Sequence, residues 1–377
     1  MPNTKIILMK IMIYLLAFIL VILIAATIFI NVSPEFGGIH LENRTVIYNE
    51  TGLYKDGKFQ NQIPTPMNMN ISSIYTILRD FLTAQNRFPL KEIPAMRLHK
   101  EDFAQTDSQT VISWLGHSAF LIQMNGKNIL LDPMFGPSPA PHPMLGTNRF
   151  PTEKVFEIND LPEIDAIVFS HDHYDHLDYK SVLKLAPKTK QFIVPLGIGA
   201  HLEKWNINKN KIQELVWGEE TSIGDIAIIC TPARHFSGRG IIDRFSTLWS
   251  SWVFKTQKES IYLSGDSGYG PHFKEIGEQY GPFDFAMMEC GQYDPRWQEI
   301  HMLPSETVKA SIDLKAKVMQ PIHWAQFSLS LHSWNDPAVK VIEEAEKQGI
   351  KLVIPKIGEQ IILGSSLPEL QDWWSGY

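Results

Sequence analysis

The chain is short of cysteine, carries no surplus of positive charge and contains no internal repeat, and each shortage excludes something. Two cysteines in 377 residues, Cys230 and Cys290, are too few for a disulfide framework and fit no zinc–thiolate spacing. Cys230 lies in the apolar run "IAIIC" and reads as an inert buried thiol. A net charge of -7 removes the general electrostatic reason to expect nucleic acid as a partner. Without repeats at solenoid periods or low-complexity tracts, stacked-repeat and fibrous architectures are excluded. What is present is ordinary globular material, 44% hydrophobic and 20% charged, long enough for one large domain or two smaller ones.

Charge is also missing locally. From Ile11 to Ile30 the chain reads "IMIYLLAFILVILIAATIFI". At about 1.5 Å rise per residue, a helix of this length crosses a hydrocarbon core of about 30 Å. Lys5 and Lys10 precede it and the first charge after it is Glu35, so the positive-inside tendency keeps the N-terminus in the cytosol and exports the rest. A cleaved signal would have a shorter apolar core and a small-residue cleavage site, so an uncleaved anchor is expected. No polar face exists that would suit a buried amphipathic helix. The triplet Asn43-Arg44-Thr45 matches a glycosylation acceptor, but such triplets arise often by chance.

Three regions follow from composition: an anchor over 1–32, a wrapping extension over 33–108 and a catalytic body over 109–377. The extension is rich in Asn, Pro and Gly, includes the irregular "PTPMNMN", and holds one expected helix, "SSIYTILRDFLTAQN". From Thr110 short apolar runs alternate with turns. "TVISWLG", "SAFLIQM" and "KNILLDP" read as strands, the last two joined by a hairpin at Asn125-Gly126. "AIVFS", "QFIVP", "SIGDIAIIC", "SWVFKT", "SIYLSGD", "FDFAMME" and "KVMQPIH" continue the series. "DPAVKVIEEAEKQG" is the clearest helix, with Asp336 as expected N-cap, Pro337 in the first turn and Gly349 as stop. "IKLVIP" and "QIILG" read as a closing pair of strands. Strands alternating with helices imply a layered α/β architecture, sheets at the centre and helices outside.

On that reading the histidines share one address. Apolar runs deliver His171, His235, Asp266 and His323 at or just past their C-terminal ends, the edge where α/β folds gather active sites. In "SHDHYDHLD", His171 and His173 are two apart and share a side in extended chain, while Asp175 and His176 follow as the chain turns. This supplies two histidines to one ion and an aspartate plus a histidine to a neighbour. Imidazole and carboxylate without thiolate suit Zn²⁺ and admit iron or manganese. Asp266 is suited to bridge two cations. So many polar titratable groups would repel or starve for water unless divalent metal neutralised them.

The H-x-H-x-D-H motif resembles the signature of the metallo-β-lactamase superfamily. "WLGHSAFLI", "LLDPMF", "SHDHYDHLD", "TPARHFSGRGIIDRFSTLW", "LSGDSGYGPHF", "GPFDFAMMECGQYDPRW", "IHMLPSE" and "PIHWAQF" resemble one branch more closely. That branch is the N-acylphosphatidylethanolamine-hydrolysing phospholipases D and their bacterial relatives. The resemblance implies a four-layer αβ/βα sandwich behind an N-terminal transmembrane helix. It implies one metal on His171, His173 and His235, another on Asp175, His176 and His323, and Asp266 bridging them. It places His301 against the substrate or leaving group, and His117 and Asp132 beside the site as supports. Two departures stand out: the membrane-spanning anchor, and "MECGQY", where the characterised animal enzymes begin with a proline and a small apolar residue.

The implied activity is a two-zinc phosphodiesterase of the phospholipase D type. Two ions about 3.5–4 Å apart lower the pKa of a shared water towards about 7. Asp175 would aim that nucleophile and His301 would protonate the departing alkoxide. The implied partner is phospholipid at a membrane surface, with the body on the periplasmic side. Trp249, Trp252, Trp297 and Phe327 are candidates for an acyl groove, against the plainer expectation that they are core. The sequence sets no oligomeric state and is compatible with a homodimer. The alternatives are a metal-dependent hydrolase of a soluble lactone or phosphorylated small molecule and, less favoured, a non-catalytic metal-binding protein.

Overall fold

Successive residues of a strand face opposite sides, and the body is built from strands that have work for both. The computed structural model describes residues 2–38, 44–66, 71–104, 109–240 and 242–377. Asn43 of the glycosylation-like triplet and the last four residues of "PTPMNMN" lie outside the described residues. Helix α1 (Pro2–Val32) is followed by α2 (Arg44–Glu50), a small hairpin of β1 (Tyr54–Lys55) and β2 (Lys58–Phe59), and α3 (Ile71–Thr83). Then come β3 (Val111–Trp114), β4 (Phe120–Met124), β5 (Lys127–Leu131), β6 (Ile164–Val168), α4 (Tyr179–Leu185), β7 (Thr189–Pro195), α5 (Gly199–Lys204) and β8 (Ile212–Leu215). The second half holds β9 (Glu220–Ile223), β10 (Ile226–Thr231), β11 (Ser251–Lys255), β12 (Ser260–Leu263), α6 (His272–Gln279) and β13 (Phe285–Glu289). It ends with α7 (Pro304–Asp313), β14 (Met319–Ile322), α8 (Asp336–Gln348) and β15 (Gln360–Ile362).

Seven strands form one sheet in the order β15-β3-β4-β5-β6-β7-β8, and six form the other as β14-β13-β12-β11-β10-β9. Alternation explains how they stack. Phe120, Ile122, Ile129, Leu131, Ala166, Val168 and Ile193 of the first sheet share a core with Ile228, Cys230, Trp252 and Phe254 of the second. Their neighbours Leu121, Leu130, Ile167, Phe192 and Val194 face the other way, onto Val182, Leu185 and Leu202 around α4 and α5. Phe273, Ile276, Val308, Ala310, Ala338 and Val341 cover the second sheet from α6, α7 and α8. The result is the expected sandwich, helices on sheet on sheet on helices.

Strands β5 to β8 run parallel, as do β12 to β14. Strand β10 is antiparallel to β11, which is antiparallel to β12, so β10 points the same way as β12. The C-terminal ends of β6, β10, β12 and β14 therefore carry His171, His235, Asp266 and His323, each within four residues of its strand.

Three expectations are corrected. "SIGDIAIIC" is not one strand: a turn at Gly224-Asp225 divides it between β9 and β10, which pair antiparallel. "IKLVIP" forms no strand with "QIILG": Leu352 makes one isolated bridge to Met319, while β15 pairs with β3 in the other sheet. Apolar runs of this length do not reveal their partner, and these two join different sheets. The N-cap of α8 is Asn335, not Asp336, whose carboxylate instead binds Tyr293 Oη and Lys340 Nζ. Gly349 does end α8, at φ 68.

Helix α1 stands clear of the body, and its segment Thr4–Val32 is long and apolar enough to cross a membrane. Its foot is held: Phe29 packs on Phe36 (5.4 Å), Phe36 on Tyr174 (6.4 Å), and Trp205 Nε1 donates to Pro34 O at 2.7 Å. The extension reaches the site too, since Asn61 exchanges hydrogen bonds with the His235 backbone at 2.8 and 3.1 Å.

Candidate metal centre

Asp132, just past β5 and fully buried, organises the first turn of the motif. Its carboxylate accepts from Ser170 N (2.7 Å) and Ser170 Oγ (2.6 Å), and lies 2.8 Å from His176 Nδ1. An ionised carboxylate only accepts, so His176 donates from Nδ1 and turns its Nε2 lone pair inward. Ser170 Oγ spends its one hydrogen donating to Asp132, so it accepts from His171 Nδ1 at 2.9 Å, and His171 Nε2 also faces inward. His235 Nδ1 donates to Ile300 O at 3.0 Å with the same effect. His117 Nε2 sits 2.9 Å from Asp175 Oδ2. Asp172, alternate in the motif, points away and accepts from Gly238 N and Thr247 Oγ1, both at 2.8 Å. Arg239 fastens the same loop by donating to the carbonyls of Asp172 (2.5 Å), Leu177 (2.8 Å) and Glu35 (2.9 Å).

The inward atoms form two groups. His171 Nε2 and His173 Nδ1 are 2.9 Å apart, His235 Nε2 is 3.2 Å from His173 Nδ1, and Asp266 Oδ2 lies 3.7 and 3.8 Å from His171 and His235. On the other side, His176 Nε2 lies 3.3 Å from Asp266 Oδ1 and 3.5 Å from Asp175 Oδ2, and His323 Nε2 is 3.7 Å from Asp175 Oδ2. Asp266 thus turns one oxygen to each group.

These groups fit divalent cations. Tetrahedral bonds of about 2.0–2.1 Å put neighbouring ligand atoms about 3.3 Å apart, inside the observed spread. His176 Nε2 and Asp266 Oδ1 are buried yet make no hydrogen bond among the described residues, despite lying 3.3 Å from each other. Buried polar atoms of this kind demand a partner, and two lone pairs facing one point ask for a cation.

Electrostatics agree. Burial holds the imidazoles of His171, His235 and His323 well below the ordinary histidine range, leaving neutral donors. Burial also works against the charged form of His176, but the carboxylates of Asp266, Asp175 and Asp132 outweigh it and push this ring upward. The same attraction overcomes burial at Asp175 and Asp266 and holds both carboxyls well below their usual range. Cation binding would take over the role of the His176 proton.

His301 stands apart. Its side chain is 14% exposed, against 1% for His171, His235 and His323, and it lines a cavity of about 360 Å³ opening on Asp175 and Asp266. Phe236, Arg244, Arg296, Trp297 and Leu329 belong to its wall, with Gln292, Ile300 and the ligand candidates His173 and His323. Of the four aromatics considered for an acyl groove, only Trp297 lines this cavity. Trp249, Trp252 and Phe327 are core, with 1%, 0% and 2% exposure, because their flanking strands and turns pack inward. Ser170, Glu289, Arg244 and Gln292 escaped the sequence reading. None belongs to a metal-ligand pattern, and only Ser170 adjoins one.

A model of the beta-lactamase superfamily domain matches residues 127–324. N-acyl-phosphatidylethanolamine-hydrolyzing phospholipase D 1 of Caenorhabditis elegans is 34% identical over 254 residues, 63% of this chain and 69% of that one. An uncharacterised protein of Mycobacterium tuberculosis is 34% identical over 347 residues, 91% and 92% of the two chains. Among solved structures, the metallo hydrolase Igni18 of Ignicoccus hospitalis superposes with a TM-score of 0.52 at 19% identity, covering 69% of this chain and 100% of its own. The chain belongs to the metallo-β-lactamase superfamily. Within it, it is a metal-dependent hydrolase related to the N-acylphosphatidylethanolamine-hydrolysing phospholipases D.

Proposed function

We propose that the chain is a two-zinc phosphodiesterase of the phospholipase D type, cleaving N-acylphosphatidylethanolamine or a related phospholipid at a membrane surface. The observation that carries this reading is the pair of donor groups, His171, His173, His235 and Asp266 on one side and Asp175, His176, His323 and His117 on the other, with Asp266 Oδ1 also 3.3 Å from His176, in a chain 34% identical to the Caenorhabditis elegans enzyme. His171, His173 and His235 would hold one ion, Asp175, His176 and His323 the other. Iron or manganese satisfies the same nitrogen and oxygen donors. Bound divalent ions supply an acidified water and positive charge for phosphoryl oxygens. His117 and Asp132 orient Asp175 and His176. Arg244, whose guanidinium lies 4.2 Å over the Phe236 ring, brings cationic character to the cavity wall, complementary to a phosphodiester. Trp297 and Leu329 offer apolar surface to an acyl chain. His301 donates its proton to the departing oxygen. Helix α1 keeps the cavity at a bilayer, and Lys5 and Lys10 in its N-terminal end favour a periplasmic body.

A second reading, hydrolysis of a soluble lactone or phosphorylated small molecule, is favoured by the cavity itself. About 360 Å³ is within the usual range for small-molecule sites. One assay separates the two. Purified protein, with His171→Ala as control, is mixed with vesicles containing N-acylated and ordinary phosphatidylethanolamine, and products are identified by mass spectrometry. Phosphatidic acid with the matching amide or amine, lost on chelation, supports the phospholipase. A metal-loaded wild type that releases no headgroup yet opens soluble esters would overturn it.

A further inference from the structure

Strand β13 ends on a carboxylate that neither metal group uses. Glu289 is fully buried, and its own backbone is clamped: N donates to Ser264 Oγ at 2.8 Å, and O accepts from Thr307 Oγ1 at 2.8 Å. Its side chain reaches two consecutive residues of the loop before α7. Oε2 accepts from Met302 N at 2.9 Å and Oε1 lies 3.2 Å from His301 Nδ1. A buried carboxylate is expensive unless donors satisfy it, and among the described residues these two donors meet it. The His301 ring stacks on His323 at 5.4 Å with its plane tilted only 13°, and meets His235 edge-on at 5.1 Å. Its ligand-capable atom falls within 4.8 Å of those on Asp266 and His323. The ring is therefore held from behind by Glu289 and presented to the cavity at the side of Asp266 and His323.

We propose that Glu289 is a positioning residue for His301: it retains the Nδ1–H, so that the proton His301 can deliver is the one on Nε2, facing the reacting centre. The proposal rests on the phosphodiesterase reading above. As the bond from phosphorus to the leaving oxygen breaks, that oxygen takes the Nε2 proton of imidazolium His301 and departs as an alcohol. His301 is left neutral with Nδ1–H still on Glu289. The attacking water gives its hydroxide to phosphorus, and its proton restores His301, so the sum is hydrolysis.

Glu289→Gln keeps the size and the acceptor for Met302 N. Its amide, however, faces Nδ1 as a donor, forcing the ring into the Nε2–H tautomer, which cannot give up a further proton. A mere strap for the Met302 loop would be preserved by this change. Two readouts decide. In the zinc-loaded protein labelled with ¹⁵N-histidine, and with His301→Asn to assign the signal, wild-type His301 should show a protonated Nδ1 and Glu289→Gln an unprotonated one. In turnover, Glu289→Gln should lose about 10²–10⁴-fold on an alkyl phosphodiester, the usual worth of proton donation. It should lose less than about tenfold on bis(p-nitrophenyl) phosphate, whose leaving group needs no proton. Equal losses on both substrates, or an unchanged His301 tautomer, would overturn the proposal. Should Glu289→Gln not fold, Glu289→Asp shortens the reach by one methylene and must show the same unequal loss. If wild type cleaves neither diester, the phosphodiesterase reading fails while the tautomer measurement still decides the role of Glu289.

Discussion

Replacing Asp132 by Asn is the sharpest test of how the metal groups are held. The asparagine oxygen can still accept from Ser170 N, now at 2.7 Å from the carboxylate. Its amide then points at His176 Nδ1, which lies 2.8 Å from the other carboxylate oxygen. His176 answers by accepting at Nδ1, which places a hydrogen on Nε2 where the lone pair is needed. To bind an ion, the ring must return to the original tautomer and set two buried donors face to face. One orphaned buried donor costs about 1–3 kcal/mol, or about a 5- to 150-fold loss of affinity. That agrees with the roughly 10- to 100-fold usually seen when a ligand's outer partner is removed. Competition of zinc against a chromophoric chelator should show one equivalent weakened by this amount. The equivalent on His171, His173 and His235 should be weakened less, since the new amide reaches that group only indirectly, through Ser170 Oγ, which loses its acceptor at the same position. Two equivalents of unchanged affinity would refute the tautomer argument.

Other outcomes follow from single contacts. An alanine Cβ at Gly291 would meet His323 O at 1.5 Å, so Gly291→Ala should displace His323 and lose the second zinc equivalent in the same titration, or fail to fold. Burial holds His272, the first residue of α6 and outside the metal groups, at about 3, below its ordinary 6.5. The unfolded chain therefore binds the extra proton between these values, so stability falls as pH drops from about 6.5 towards 3 and levels off below. In the chelated protein, His272→Asn should flatten that part of the denaturant-midpoint profile; an unaltered slope would mean the ring is not buried neutral. Trp297→Ala should raise KM for long-acyl substrates more than for short ones, with kcat nearly unchanged, if Trp297 touches the acyl chain. Equal effects on both would remove it from the substrate wall.

Much of the centre was legible because its logic is local. His171 and His173 two apart, then Asp175 and His176 at a turn, announce metal chemistry without any knowledge of the fold. The hairpin at Asn125-Gly126 was legible for the same reason: both residues take positive φ, 46 and 69, the backbone that Asn and Gly tolerate best. The acyl-groove aromatics were not. Trp249 and Trp252 are near site residues in sequence, but strand alternation sends Trp252 into the core beside Cys230, and Trp249 closes over the Tyr48–Phe59 cluster. Sequence proximity to a site says nothing of which face a side chain takes.

By itself the sequence determined the class of chemistry, the strands that carry it and the apolar span, since motif spacing, period-two alternation and run length are properties of neighbouring residues. Only the tertiary structure decided the rest. Asp132 meets His176 across 44 positions, His117 meets Asp175 across 58, and Asp266 divides its oxygens between groups brought by different strands. Glu289 became part of the site because β13 stops beside the loop that carries His301, only 12 positions on but a separate element in the fold. Hydrogen bonds and lone-pair directions act over about 3 Å in space, and a linear chain does not record which distant residues will come within that reach.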